Sequence, residues 1–200
     1  MSSESGNQLF PIFLRSDRLN YLIVGGGNVG WEKLNFMFRH SNTGNVLVVA
    51  PEIKPEIVEL ASHYPDKITL RYKSFDESDL SGINIVLAAT NDRHTNTVIR
   101  ESAKSAKCLV NVADTPDLCD FYLSSVVKKG DLKIAISSNG KSPTITKRIR
   151  ELLEDVLPDE LDDIIQNLND IRDHLKGDFD SKVKKLDAVT HAFKSKKLKK

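Results

Sequence analysis

The 200-residue sequence is poor in cysteine, in long apolar runs and in charge of one sign, and each shortage excludes a class of protein. Its two cysteines, Cys108 and Cys119, stand 11 positions apart outside any CxxC spacing, and Cys108 lies in an apolar run. Neither a disulfide framework nor a cysteine zinc site is expected. The five histidines, His40, His63, His94, His174 and His191, form no HxxxH pair, so no metal site is expected either. No apolar stretch approaches the roughly 20 residues of a membrane span. The start, Met-Ser-Ser-Glu-Ser-Gly, lacks the basic and apolar regions of a signal peptide. A soluble, cytoplasmic protein with no membrane partner is the expectation. With 29 Lys plus Arg against 28 Asp plus Glu, the net charge is +1, which argues against nucleic acid as the main partner. No internal repeat and no long low-complexity segment occurs. The last seven residues, from Lys194, hold five lysines and read as a solvated tail.

What is present is an alternation. Short apolar runs at 20–24, 46–50, 68–72, 83–89 and 108–112 alternate with segments rich in helix formers, notably 54–63 and 96–107. After the first run Trp31, Leu34 and Phe38 recur at spacings of three and four, as one helix face requires. This rhythm predicts an α/β fold, a parallel sheet covered by helices, with the run at 83–89 suited to its centre. Beyond about residue 113 the rhythm ends. The runs 121–127 and 132–137 flank Lys128-Lys129-Gly130-Asp131 and predict a hairpin. Ser142-Pro143 supplies a helix cap and a first-position proline, and that helix is predicted to reach about Val156. Two more are expected over 159–176 and 179–193, separated at Gly177.

Gly25-Gly26-Gly27-Asn28-Val29-Gly30 satisfies G-x-G-x-x-G directly after the first strand and at the opening of the first helix. Gly25 permits the tight turn, Gly27 lets the backbone approach a pyrophosphate, and Gly30 allows close packing of helix on sheet. The helix N-terminus, at Asn28 and Val29, offers N–H groups to the phosphates. The second strand ends in Ala50-Pro51-Glu52, so the ribose-binding acid of such folds is displaced from Ala50 to Glu52, 22 residues after Gly30. Pro51 and Glu52 are taken as cofactor-binding, with Glu52 as a helix-start acid the alternative. No Arg or Lys lies within 47–53 to receive a 2′-phosphate, which favours NAD over NADP. Thr90, at the end of the fourth strand, is either a wall of the dinucleotide cleft or a helix cap.

Three segments carry a family resemblance: Ile23-Val-Gly-Gly-Gly-Asn-Val-Gly with Glu32-Lys33, Asn111-Val-Ala-Asp-Thr-Pro116, and Ile136-Ser-Ser-Asn-Gly-Lys-Ser-Pro143. With Phe10-Pro-Ile-Phe13 and the stretch from Arg148 to Pro158, the chain resembles the precorrin-2 dehydrogenase and sirohydrochlorin ferrochelatase family over roughly residues 10 to 175. The resemblance implies a Rossmann-like NAD-binding domain at 1–113, a dimerisation and active-site region at 114–148, and a C-terminal helical region at 149–200. It implies a homodimer that oxidises precorrin-2 to sirohydrochlorin in siroheme biosynthesis with NAD as hydride acceptor. Asp114 takes the place of the family's catalytic Asp, at the carboxyl end of a predicted strand, where it can accept the proton lost with the hydride or orient the reacting groups. A turn acid before Pro116 is the alternative, and Asp117 and Asp120 stand near enough to share the role. A substrate with several carboxylates implies cations, and Lys141, Lys147 and Arg150 beside the helix capped by Ser142 are the candidates. A solvated charged helix face is the alternative for these residues. Some members also insert ferrous iron, and the resemblance leaves that activity open. Trp31 departs from the family, which more often has a small or polar residue there. A non-enzymatic NAD-binding regulatory module shares the glycine turn but has no use for the segments 111–116 and 137–143, and is the competing function.

Overall fold

The computed structural model describes residues 7, 9–41, 43–175 and 179–189; the expectations for Gly177, residues 190–193 and the lysine tail lie outside them. Contacts gather the chain into two units, one of residues up to Ser124 with Ser137–Ile145, the other of Ser125–Ile136 with residues from Thr146 onward.

The first unit is the predicted α/β sheet. Strands β1 (Tyr21–Val24), β2 (Val46–Val49), β3 (Ile68–Arg71), β4 (Ile85–Ala88) and β5 (Leu109–Val112) lie parallel in the order β3-β2-β1-β4-β5. The period-two alternation of a strand sends Tyr21 and Ile23 to one face and Leu22 and Val24 to the other. On the first face they pack with Leu34 and Met37 of α1 (Asn28–His40) and with Ile57 and Ala61 of α2 (Pro55–His63). On the second they meet Ile99 and Ala103 of α3 (Arg93–Ser105). All four residues of β1 and of β4 are buried, which is why those runs are continuously apolar. The strand order reverses between β1 and β4, creating the crevice at the carboxyl ends of the strands where open sheets bind ligands.

The α3 helix starts at Arg93 rather than Asn96 because Asp92 caps it, its carboxylate accepting from the His94 and Thr95 amides at 3.3 and 2.8 Å. A 3-10 turn at Glu77–Leu80, absent from the sequence expectation, is fixed by a capping box between Asp76 and Asp79. Asp79 is fully buried and ionically paired with Arg71 at 2.9 Å and Lys73 at 2.7 Å.

In the second unit β6 (Ser125–Lys129) and β7 (Leu132–Ile136) form the predicted antiparallel hairpin, turning through Gly130 at φ 54. That first strand was expected from Phe121, but it starts four residues later. The Phe121 carbonyl is instead taken by Asn111 Nδ2 at 2.9 Å, and Phe121 and Leu123 pack on the core of the first unit. The tip of the hairpin meets α5 (Leu161–His174), whose Asp162 accepts from the Asp131 amide at 2.8 Å. Helix α4 (Pro143–Val156) opens with Ser142 Oγ accepting from the Ile145 amide at 3.3 Å, as its cap signal predicts, and α6 (Phe179–Val189) follows α5. Among the described residues no helix is long and apolar enough to cross a membrane.

Candidate active site

The glycine turn owes its shape to three different crowdings. Gly25 sits at φ 123, and a Cβ there would stand 2.3 Å from the Ala89 carbonyl oxygen. A Cβ on Gly30 would meet the Gly25 carbonyl at 2.0 Å, so the first turn of α1 lies directly on the strand end. Gly26, a variable position in the motif, is equally constrained, with the Glu52 carbonyl 2.2 Å from its notional Cβ. The chain after β2 crosses over it, and the Lys54 amide donates to Gly26 O at 2.9 Å. Gly27 differs from all of these: nothing lies within 4 Å of its notional Cβ. Backbone open to space on that side is what the close approach of a pyrophosphate requires.

That open side faces a cleft of about 780 Å³, within the range of small-molecule and cofactor sites. Its walls include Gly25, Gly27, Asn28, Val29, Pro51, Glu52 and Thr90, so seven of the eight predicted cofactor residues share one cavity. Gly30, the eighth, is buried one step inside α1. Glu52 lies outside the first turn of α2, which begins at Pro55 and carries Glu56 as its acid. Thr90 is not the helix cap; Asp92 is, while Thr90 Oγ1 donates to Asn96 Oδ1 at 2.7 Å. Trp31 packs against the core on the first face of the sheet and is not among the residues lining the cleft.

Of the helix N-termini at this edge, that of α2 carries Glu56 in its first turn, and those of α1 and α3 differ in charge. The first turn of α1 has no acidic residue and no side-chain cap, so its N–H groups and positive dipole end are available to an anion. That of α3 is occupied by the Asp92 carboxylate, held below the usual range by its hydrogen bonds from Thr95. Of these two termini, only that of α1 is left open to an anion. Lys54, one residue past the window read for a 2′-phosphate ligand, brings its Nζ to 2.8 Å from Asn28 Oδ1 and 3.0 Å from Glu56.

The cleft also recruits residues that the sequence reading missed: Ser74 and Phe75 from the chain after β3, and His94, Thr95 and Val98 from α3. Val98, an exposed apolar side chain on a polar helix face, carried a weak signal. Ser74 and Phe75 carried none beyond standing after a strand, and only the sheet order brings them there.

Asp114 stands elsewhere on the same edge. It follows β5 in left-handed backbone at φ 53, and the Ala113 amide just before it donates to Ala88 O at 2.9 Å. Its side chain is exposed, does not line the cleft, and has no hydrogen bond or ion pair among the described residues. Asp117 pairs loosely with Arg93 at 3.8 Å, and Asp120 pairs with Arg100 at 2.7 Å. Of the three predicted substrate-binding cations, Lys141 lies in the turn before α4. Lys147 is 4.0 Å from Glu151, and Arg150 Nη1 reaches both Glu154 carboxylate oxygens at 2.8 Å.

A parallel sheet with this strand order, a glycine turn opening α1 and a cleft at the switch point define a dinucleotide-binding protein of the Rossmann type. The chain belongs to the NAD(P)-binding family whose model matches residues 12–125, which sets its cofactor class as a nicotinamide dinucleotide. The model of the sirohaem biosynthesis protein central region matches residues 129–155. The chain is 34% identical to a siroheme synthase of Pseudoalteromonas atlantica over 178 residues, 89% of this chain and 38% of that protein. It is 35% identical to siroheme synthase 3 of Aeromonas hydrophila over 171 residues, 86% of this chain and 36% of that one. It thus spans little more than a third of the length of these relatives. The solved structure of SirC, precorrin-2 dehydrogenase, shares the fold with a TM-score of 0.74 at 24% identity, over 95% of this chain and 93% of that one.

Proposed function

We propose that this protein is an NAD-dependent precorrin-2 dehydrogenase of siroheme biosynthesis, oxidising precorrin-2 to sirohydrochlorin as a homodimer. The observation that carries the reading is the pairing, on one sheet edge, of an open glycine turn at Gly27 with a free carboxylate at Asp114. A regulatory dinucleotide module needs the first and has no use for the second. When bound, the dinucleotide supplies the hydride acceptor. The turn at Gly25, Gly27 and Gly30, with the amides of Asn28 and Val29, holds its phosphates. Pro51, Glu52 and Thr90 line its seat. Asp114 accepts the proton lost with the hydride, a task its unpaired and exposed carboxylate is free to perform. Lys141, Lys147 and Arg150 meet the carboxylates of the tetrapyrrole. NAD is preferred over NADP because the acidic residue Glu52 is part of the cleft wall, while the nearby Lys54 is engaged by Asn28 and Glu56.

The test is the absorbance of NADH when purified protein meets precorrin-2 and NAD without oxygen, beside Asp114→Ala and a parallel series with NADP. Formation of NADH by the wild type and not by the variant is the expected result. A folded, NAD-binding wild type that forms no NADH sinks the proposal and leaves the regulatory module. Ferrous iron added afterwards, as a substrate, distinguishes a dehydrogenase from one that also makes siroheme.

A further inference from the structure

The chain after Asp114 turns back along the outer edge of β5, and side chains replace the neighbouring strand that the sheet lacks there. The Asp120 amide donates to Val110 O at 2.8 Å, and Asp120 Oδ2 accepts from the Val110 amide at 3.0 Å. Cys119 Sγ stands 3.2 Å from both the amide and the carbonyl oxygen of Val112. An edge strand otherwise presents these groups unpaired. The second oxygen of Asp120, Oδ1, accepts from Arg100 Nη2 of α3 at 2.7 Å, and these side chains are only 17% and 28% exposed. Charge-assisted bonds of this length are among the strong ones.

Between its two fastenings, Ala113 to Ala88 and Asp120 to Val110, the loop is tightened by Thr115 Oγ1 donating to Ala113 O at 3.1 Å and by the Leu118 amide donating to Thr115 O at 3.0 Å. Asp114, directly after the first fastening, has no side-chain partner among the described residues, so the backbone of the loop, held at Ala113 on one side and through Asp120 on the other, alone aims its carboxylate. We infer that Arg100 and Asp120 are positioning residues for Asp114: their ion pair bolts the returning segment to β5 and so holds the Asp114 carboxylate in place. The inference rests on the reading of Asp114 as the proton acceptor. Neither residue lines the cofactor cleft, so the brace acts on turnover and not on dinucleotide binding. A displacement of about 1 Å in a reacting group costs on the order of 100-fold in rate.

The experiment is a double-mutant cycle on the whole protein, reading kcat, KM for precorrin-2, NAD affinity and thermal midpoint. Asp120→Asn keeps an acceptor for Val110 and removes the charge that holds Arg100; Arg100→Met leaves Asp120 bonded to Val110. Each is expected to lower kcat by about 10- to 100-fold with NAD affinity unchanged, and Arg100→Lys to recover part of it. In an Asp114→Asn background Asp120→Asn should add no further loss, because groups acting through one another are not additive. Wild-type kcat in either variant overturns the inference. So does a loss that multiplies in full in the Asp114→Asn background, or one shared by NAD affinity. Failure of the underlying reading is seen separately, as Asp114→Asn alone with undiminished kcat.

Discussion

Two residues that are not glycine hold left-handed backbone at the two ends of β5, Lys107 at φ 60 and Asp114 at φ 53. The conformation costs a residue with a Cβ about 1–2 kcal/mol, and the two positions offer different returns. Exposed Lys107 closes α3 where glycine is the usual choice, its amide bonded to Lys104 O and the next to Ala103 O. Lys107→Gly is therefore expected to stabilise by about 1 kcal/mol, read as a higher denaturant midpoint at unchanged slope. Asp114→Gly should gain as much and lose turnover, whereas Asp114→Asn, which tolerates the same backbone, should lose turnover alone. A destabilised Asp114→Gly would instead give the carboxylate a structural partner and count against its role. Asp76 bears on acid stability. Its carboxylate is held down to about 2 from 3.8, first by Lys73 and then by Ser78. Its contribution is complete above 3.8 and is lost as the pH falls through about 2. The thermal midpoint of the wild type should drop across that window more steeply than that of Asp76→Asn. Of these residues Asp114 stands out in the sequence as a candidate, from its place in Asn-Val-Ala-Asp-Thr-Pro, but its left-handed backbone does not. Lys107 does not stand out, because lysine gives no sign of left-handed backbone.

At the scale of the element, the glycine turn separates packing from binding. Gly26→Ala and Gly30→Ala drive a Cβ to within 2.2 Å of the Glu52 carbonyl and 2.0 Å of the Gly25 carbonyl. Both variants should be strongly destabilised, since backbone and not a flexible side chain must yield. Gly27→Ala meets nothing and should keep the thermal midpoint while weakening NAD binding by about 10-fold or more, the loss of one charge-assisted contact region. Calorimetry of the three variants checks both halves, and normal NAD affinity in Gly27→Ala would move the pyrophosphate away from the turn. Strands β1 and β4 were legible because burial on both faces leaves continuous apolar runs, and β2, β3 and β5 from short apolar runs set between segments of helix formers. The late start of β6 and the turn at Glu77–Leu80 were not. Each is settled by a distant partner or local cap, Asn111 for the Phe121 carbonyl and the Asp76–Asp79 box for the turn, which no periodicity encodes. The same holds for the site, where motif residues were found along the chain but Ser74, Phe75 and Val98 reach the cleft only through strand order.

For the whole molecule the unresolved weight falls on α4. Ile145, Ile149, Leu152 and Val156 recur at helical spacing, and all four are exposed, Val156 at 68% and Leu152 at 61%. A stripe of this kind on a soluble helix is normally covered by another surface. In the proposed homodimer it supplies apolar area to the second copy, so the protein should sediment at twice its 22.4 kDa chain mass. Leu152→Glu, placing a charge in the stripe, should shift it to the monomer. A monomeric wild type would remove the dimer from the proposal, and an intact dimer in the variant would move the interface off this helix. The consequence for activity is specific, because Lys147 and Arg150 stand on α4 while the glycine turn belongs to the sheet. Loss of the dimer should therefore raise KM for the tetrapyrrole and leave NAD affinity unchanged, separating the two binding functions between the two parts of the chain that carry them.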